Sequence, residues 1–110
     1  MKLVNVFKAL SDKTRVRIMA LLFEGDLCVC EVMDALGMTQ SRVSRHLGIL
    51  KQAGLIGEER KGKWVVYKVI NKRRAIFSYI QRETKGEPEY EKDMKNLKKT
   101  QKKNLCPFNC

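Results

Sequence analysis

Residues 37–54 read Gly37-Met-Thr-Gln-Ser-Arg-Val-Ser-Arg-His-Leu-Gly-Ile-Leu-Lys-Gln-Ala-Gly54, and this stretch decides the fold. After Gly37 and Met38, Thr39 stands at an N-cap position and opens a helix over Gln40 to Ala53, which Gly54 ends. Val43, Leu47 and Leu50 recur at i, i+4, i+7 and give that helix one apolar face. With that face turned inward, Gln40, Ser41, Ser44 and Arg45 project from the N-terminal end, with Arg42 beside them. Glutamine can pair with adenine and arginine with guanine, while serine hydroxyls and a helix N-terminus suit phosphate oxygens. A tight glycine turn followed by a helix with a polar outer face is the helix-turn-helix pattern. His46, the only histidine, adjoins the apolar face and reads as a packed structural residue rather than a metal ligand.

Upstream, Leu3, Val6, Phe7 and Leu10 predict a short amphipathic helix over residues 3–10. Ser11-Asp12 is a cap signal for a second helix, apolar over much of its surface, which Gly25-Asp26 ends. A third helix is expected from about Cys30 to Leu36, closed by Gly37. Downstream the period changes. Ile56 to Arg60 and Trp64 to Ile70 read as two strands around Lys61-Gly62, a β-hairpin. Its tip, with Arg60, Lys61 and Lys63, sets positive charge where a wing meets the adjacent groove or backbone. The run Arg74 to Glu83 then predicts a last core helix with Ile76, Tyr79 and Ile80 on one side. The order α-α-α-α-β-β-α, mostly α with a β-hairpin (α+β), is that of a winged helix-turn-helix.

With 110 residues there is room for one domain, and 23 basic against 12 acidic side chains leave a net charge of +11 that calls for an anionic partner. The reading face selects double-stranded DNA over a membrane surface. The apolar runs are too short for a bilayer span or a signal peptide, so a cytoplasmic protein without membrane attachment is expected. Residues 1–83 hold 16 basic and 8 acidic groups, and Glu87-Pro88 breaks the chain beyond them. We therefore place a DNA-binding and dimerisation domain at 1–83 and a Lys-rich tail with a terminal cysteine pair at 84–110. Tyr90, Met94 and Leu97 have helical spacing, so the tail reads equally as a sixth helix or a charged arm. No Ser/His/Asp set, glycine-rich phosphate loop or Cys-x-x-Cys is present in the sequence, so an enzyme is not expected.

Cys28, Cys30, Cys106 and Cys110 fall in two tight clusters. In a reducing compartment such thiols read first as ligands for a soft metal and second as a redox sensor, and structural disulfides are not expected. In a regular helix residues i and i+2 point about 200° apart, so Cys28 and Cys30 can share an ion only if the helix start unwinds. That couples ligation to the element that positions Gln40 to Arg45. Cys106 or Cys110 can complete a three-thiolate site, in cis or across a dimer, since some 20 residues reach at most about 70–80 Å. Lysines among residues 95–103 are expected to favour the thiolate forms.

The segments LSDKTRVRIMALL (10–22), LCVCEVMDALGMTQSRVSRHLGILKQAGLI (27–56) and KGKWVVYKV (61–69) resemble the ArsR/SmtB family of metal-responsive bacterial repressors. The resemblance implies a homodimeric repressor that leaves an inverted-repeat operator when a toxic metal ion binds. It also implies a dimer interface on the first and last core helices, here Leu3, Phe7, Leu10, Ile76, Tyr79 and Ile80. The LCVC segment is similar to that of the arsenic-sensing members, whose third thiol falls where this chain has Met33. As(III) or Sb(III) is accordingly the expected inducer, held by three thiolates. Cd(II), Pb(II) or Zn(II) on all four sulfurs is the alternative, and a thiol redox sensor the next.

Overall fold

The computed structural model describes residues 1–106. The elements are α1 (Lys2–Leu10), α2 (Lys13–Glu24), β1 (Leu27–Cys28), α3 (Val29–Leu36), α4 (Gln40–Gln52), β2 (Ile56–Lys61), β3 (Trp64–Val69), α5 (Ala75–Thr84) and α6 (Pro88–Lys102). Asp12 caps α2, its carboxylate accepting from the backbone N–H of Thr14 at 2.8 Å and of Arg15 at 3.2 Å. Ile18, Met19, Leu21 and Leu22 of α2 are completely buried and form the centre of the core. Val43, Leu47 and Leu50 pack against them, so the apolar face expected of α4 is the one that turns inward.

The turn between α3 and α4 is set by Gly37, whose φ of 65° lies in the left-handed region that a side chain disfavours. The Met33 carbonyl accepts from the N–H of both Gly37, at 2.8 Å, and Met38, at 3.2 Å, which closes α3. Thr39 then starts α4 as its N-cap. The hairpin is antiparallel, with register running from Ile56 opposite Val69 to Lys61 opposite Trp64.

The structure departs from the sequence reading at two places that matter for function. First, a two-residue strand, β1, pairs antiparallel with β3 and gives a three-stranded sheet of order β1-β3-β2. Two residues are too short to show a period, so the sequence did not disclose it. The third helix consequently begins at Val29 rather than Cys30, with Cys28 as its N-cap. Second, of the two readings of the tail the helix forms, as α6, and it packs into the main core rather than standing apart from the domain. Leu97 is buried and Met94 packs against the same cluster.

Much of the docking of α6 onto α2 and α3 is polar. Arg17 donates through Nε and Nη2 to the buried carboxylate of Asp93 at 2.8 and 2.9 Å. Asn96 donates to the Ala35 carbonyl at 3.2 Å, and Thr100 to Asp34 at 2.6 Å. Lys103 reaches the same Asp34 carboxylate at 3.0 Å. The contacts of Asp93 and Thr100 satisfy buried groups that would be costly to leave alone, while the Lys103–Asp34 pair stays exposed. If α6 belongs to the core, Leu97→Ala will lower the unfolding free energy by about 2–4 kcal/mol in denaturant titrations under reducing conditions. A change of less than about 0.5 kcal/mol would return the segment to the status of an appendage.

Candidate functional site

The returning α6 carries the chain to the start of α3, and this sets the thiol cluster. Cys28 ends β1 in extended backbone, opposite Val66 of the wing, and is buried. Cys106, also buried, is joined to it as a disulfide with Cα atoms 6.2 Å apart. This corrects the expectation that no disulfide would form. Residues separated by 78 positions become neighbours because α6 packs against α3. The junction is made within one chain. Val66 is buried with the two sulfurs, and Cys30 and Trp64 pack around them.

Glu31 completes the arrangement. Its Oε1 accepts from the Cys28 backbone N–H at 2.8 Å, one half of a reciprocal capping box between residues 28 and 31. The residue is only 2% exposed. The Cys28 and Cys106 sulfurs and a Glu31 oxygen all lie within 4.8 Å of one another. Cys30 is not in that group. It stands two residues on, inside the helix, half-buried, with Sγ donating to the Leu105 carbonyl at 3.8 Å. Burial first, then the carboxylates of Glu31 and Asp34, push the Cys30 thiol above its usual range. The expectation that tail lysines would favour thiolates is thus reversed for Cys30, and Lys103 is engaged by Asp34. Met33 packs against the main core. Cys110 lies outside the described residues.

On α4 the residues expected to face outward do so: Gln40, Ser41, Arg42, Ser44 and Arg45 are all exposed. The Thr39 hydroxyl accepts from the Arg42 N–H at 3.4 Å and sits 3.3 Å from the Ser41 hydroxyl, so it fixes the start of this face. In the wing, Arg60 and Lys63 are exposed, with the Lys63 ammonium 5.6 Å from the Trp64 ring centre. Lys61 is half-buried and 3.5 Å from Glu59, which Lys68 also approaches at 3.7 Å. Glu58 is paired with Lys51. The wing is therefore less positive than its tip alone suggests.

His46 is buried and packs as expected. Arg15 contacts its Nδ1 at 3.1 Å while donating through Nε to the Ala9 carbonyl at 2.6 Å. Burial holds the imidazole below its ordinary pKa, and the charges of Arg15, Arg45 and Arg42 act in the same direction against Asp12. Among the apolar residues expected at an interface, Leu3, Phe7 and Tyr79 are each more than half exposed, whereas Ile80 belongs mostly to the core. Leu10 and Ile76 are half-buried between them, and all six line an open groove of about 620 Å³ between α1 and α5.

A winged helix-turn-helix with thiols at the start of its first motif helix can be compared with known proteins. Residues 12–57 match the family described as "Bacterial regulatory protein, arsR family". An uncharacterized HTH-type transcriptional regulator of Methanocaldococcus jannaschii is 41% identical over 73 residues, covering 66% of this chain and 82% of that protein. The chain belongs to the arsR family. Among its relatives, the arsenic resistance transcriptional regulator ArsR1 of Pseudomonas putida is 49% identical over 65 residues, or 58% of this chain and 51% of the relative. The chain thus spans about half the length of that curated relative. A homodimeric winged helix-turn-helix DNA-binding domain from Mycobacterium bovis, a possible ArsR-family regulator, superposes with a TM-score of 0.69 at 30% identity. That match covers 76% of this chain and 78% of the other. Among the described residues no helix is long and apolar enough to cross a membrane.

Glu31 was not foreseen as a member of the site. The signal was present as an acidic residue three positions after Cys28, but cysteine is not among the usual capping residues. His46 gives a pH dependence with a defined sign. Its folded pKa lies below the unfolded one, so between the two the unfolded chain binds more protons. Stability will therefore fall as the pH drops below about 7, and His46→Gln will flatten that fall in denaturation midpoints compared at about pH 7.5 and 5.5. Equal slopes in the two proteins would contradict a buried neutral imidazole.

Proposed function

We propose that this protein is a homodimeric, DNA-binding transcriptional repressor released from its operator when Cys28, Cys30 and Cys106 bind a trivalent metalloid, As(III) or Sb(III). The observation that carries the reading is the meeting of Cys106 with Cys28 at the start of α3, beside Cys30. With the disulfide reduced, arsenous acid condenses with three thiols and loses three waters, leaving a pyramidal three-sulfur complex. Two sulfurs on one ion must approach to roughly 3.5–4 Å, with bonds near 2.3 Å. Cys30 stands inside α3, and its sulfur is not among the ligand atoms that lie within 4.8 Å of one another, so it reaches that distance only when the first turn of α3 moves.

The opening has two outlets. Through Gly37 and the turn it shifts α4, whose Gln40, Ser41, Arg42, Ser44 and Arg45 face the major groove. Through β1 it pulls on β3 and on the wing residues Arg60, Lys61 and Lys63. A coupling of about 3 kcal/mol weakens operator binding about a hundredfold. A second copy covers Leu3, Phe7 and Tyr79, and the two-fold axis matches an inverted-repeat operator with half-sites about one helical turn, or a multiple, apart.

The disulfide itself favours a second reading, in which oxidation of Cys28 and Cys106 is the signal. The two readings separate in one assay, fluorescence anisotropy on the DNA upstream of the reading frame. Micromolar arsenite releases the reduced protein on the first reading, and only peroxide does so on the second. Cys28→Ser and Cys106→Ser will each keep operator affinity, since serine at position 28 still caps α3, and lose release by arsenite. Unaltered release in either variant excludes that thiol from the site. Phe7→Asp will shift the protein to monomers by light scattering and abolish operator binding at the same concentration; a dimer of unchanged affinity would remove α1 from the interface.

A further inference from the structure

The structure gathers two sulfurs, joined as the Cys28–Cys106 disulfide, and one Glu31 oxygen, with the third sulfur outside the group. We infer that Cys28, Cys106 and Glu31 form a binding site for a thiophilic divalent cation such as Cd(II) or Zn(II), with Glu31 as a direct ligand. The inference deepens the thiol-site reading of the preceding section and rests on it for the two cysteines, while Glu31 is new. All three residues are at least 95% buried and their ligand atoms fall within 4.8 Å. A Zn(II) or Cd(II) ion accepts mixed thiolate and carboxylate donors, whereas trivalent arsenic takes three thiolates. The two ion classes therefore call on different third donors: Glu31 for the divalent cation and Cys30 for the metalloid.

The same side chains cap α3. Glu31 holds the Cys28 N–H at 2.8 Å, and the Cys28 side chain faces the Glu31 backbone in return. A cation that recruits both exchanges a helix cap for metal bonds, so divalent binding loosens the first turn of α3 without Cys30. A phosphine reductant and one water convert the disulfide to two thiols and the phosphine oxide. The divalent cation then displaces the two thiol protons into the buffer and takes a Glu31 carboxylate oxygen as its third donor.

The test uses the full chain, reduced with a phosphine, and titrates Cd(II) against a competing chelator through the thiolate-to-metal charge-transfer absorption. Glutamine at position 31 preserves the cap but not the anionic donor. Glu31→Gln is expected to weaken Cd(II) binding at least about tenfold, leaving arsenite binding and the operator affinity of the metal-free protein unchanged. Cadmium affinity equal to that of the unsubstituted chain, or parallel losses for cadmium and arsenite, would overturn the assignment. X-ray absorption of the unsubstituted cadmium-loaded protein gives an answer even if the variant does not fold. An oxygen in the first shell beside two sulfurs supports the site, and a shell of sulfur alone refutes it. Failure of arsenite to bind the unsubstituted protein removes the metalloid reading only, since the cadmium measurements stand on their own.

Discussion

The wing, the first motif helix and the end of the described chain meet at Cys28. That one residue ends the edge strand β1, opposite Val66 of the wing, and caps α3, the first helix of the reading motif. It also holds Cys106 at the far end of α6. A change in what its side chain bonds to must be accommodated by the wing, by the helix start, or by both. Interiors packed to near-crystalline density do not absorb such a change silently.

The second constraint is the polar seam that holds α6 in place. Leu97 and Met94 supply modest apolar burial, and the position of the helix is specified by Arg17 with Asp93 and by Asp34 with Thr100 and Lys103. Such contacts are directional, so they fix where α6 lies along α3 and thus where residue 106 arrives. Because Asp34 and Ala35 belong to α3 itself, the seam ties the segment leading to Cys106 to the helix that Cys28 caps. On the proposed mechanism, ligand capture at Cys106 and the orientation of α3 are in this way one mechanical problem.

The reading motif was legible in the sequence because its signals are local and redundant. A glycine with positive φ, an N-cap threonine and an i, i+4, i+7 apolar row all agree on α4. The hairpin around Gly62 was equally plain. What stayed hidden depends on distance along the chain. β1 is two residues long and exists only because β3 lies beside it. The disulfide requires α6 to return across 78 residues, and nothing near Cys106 announces its partner. Glu31 looked like an ordinary first-turn acid until burial and the Cys28 N–H gave it a place. The charge on the wing was overestimated because Glu58 pairs with Lys51 of α4, and Glu59 lies near Lys61 along β2 and Lys68 across on β3.

On the proposed mechanism, occupancy of the thiols is felt at the start of α3 and in β3 together. Hydrogen–deuterium exchange on the reduced protein, with and without arsenite, tests it most directly. The prediction is faster exchange at the amides of residues 29–33 and 65–67 on arsenite binding, with the centre of α4 still protected. Unchanged exchange in both segments at saturating arsenite would contradict the claim.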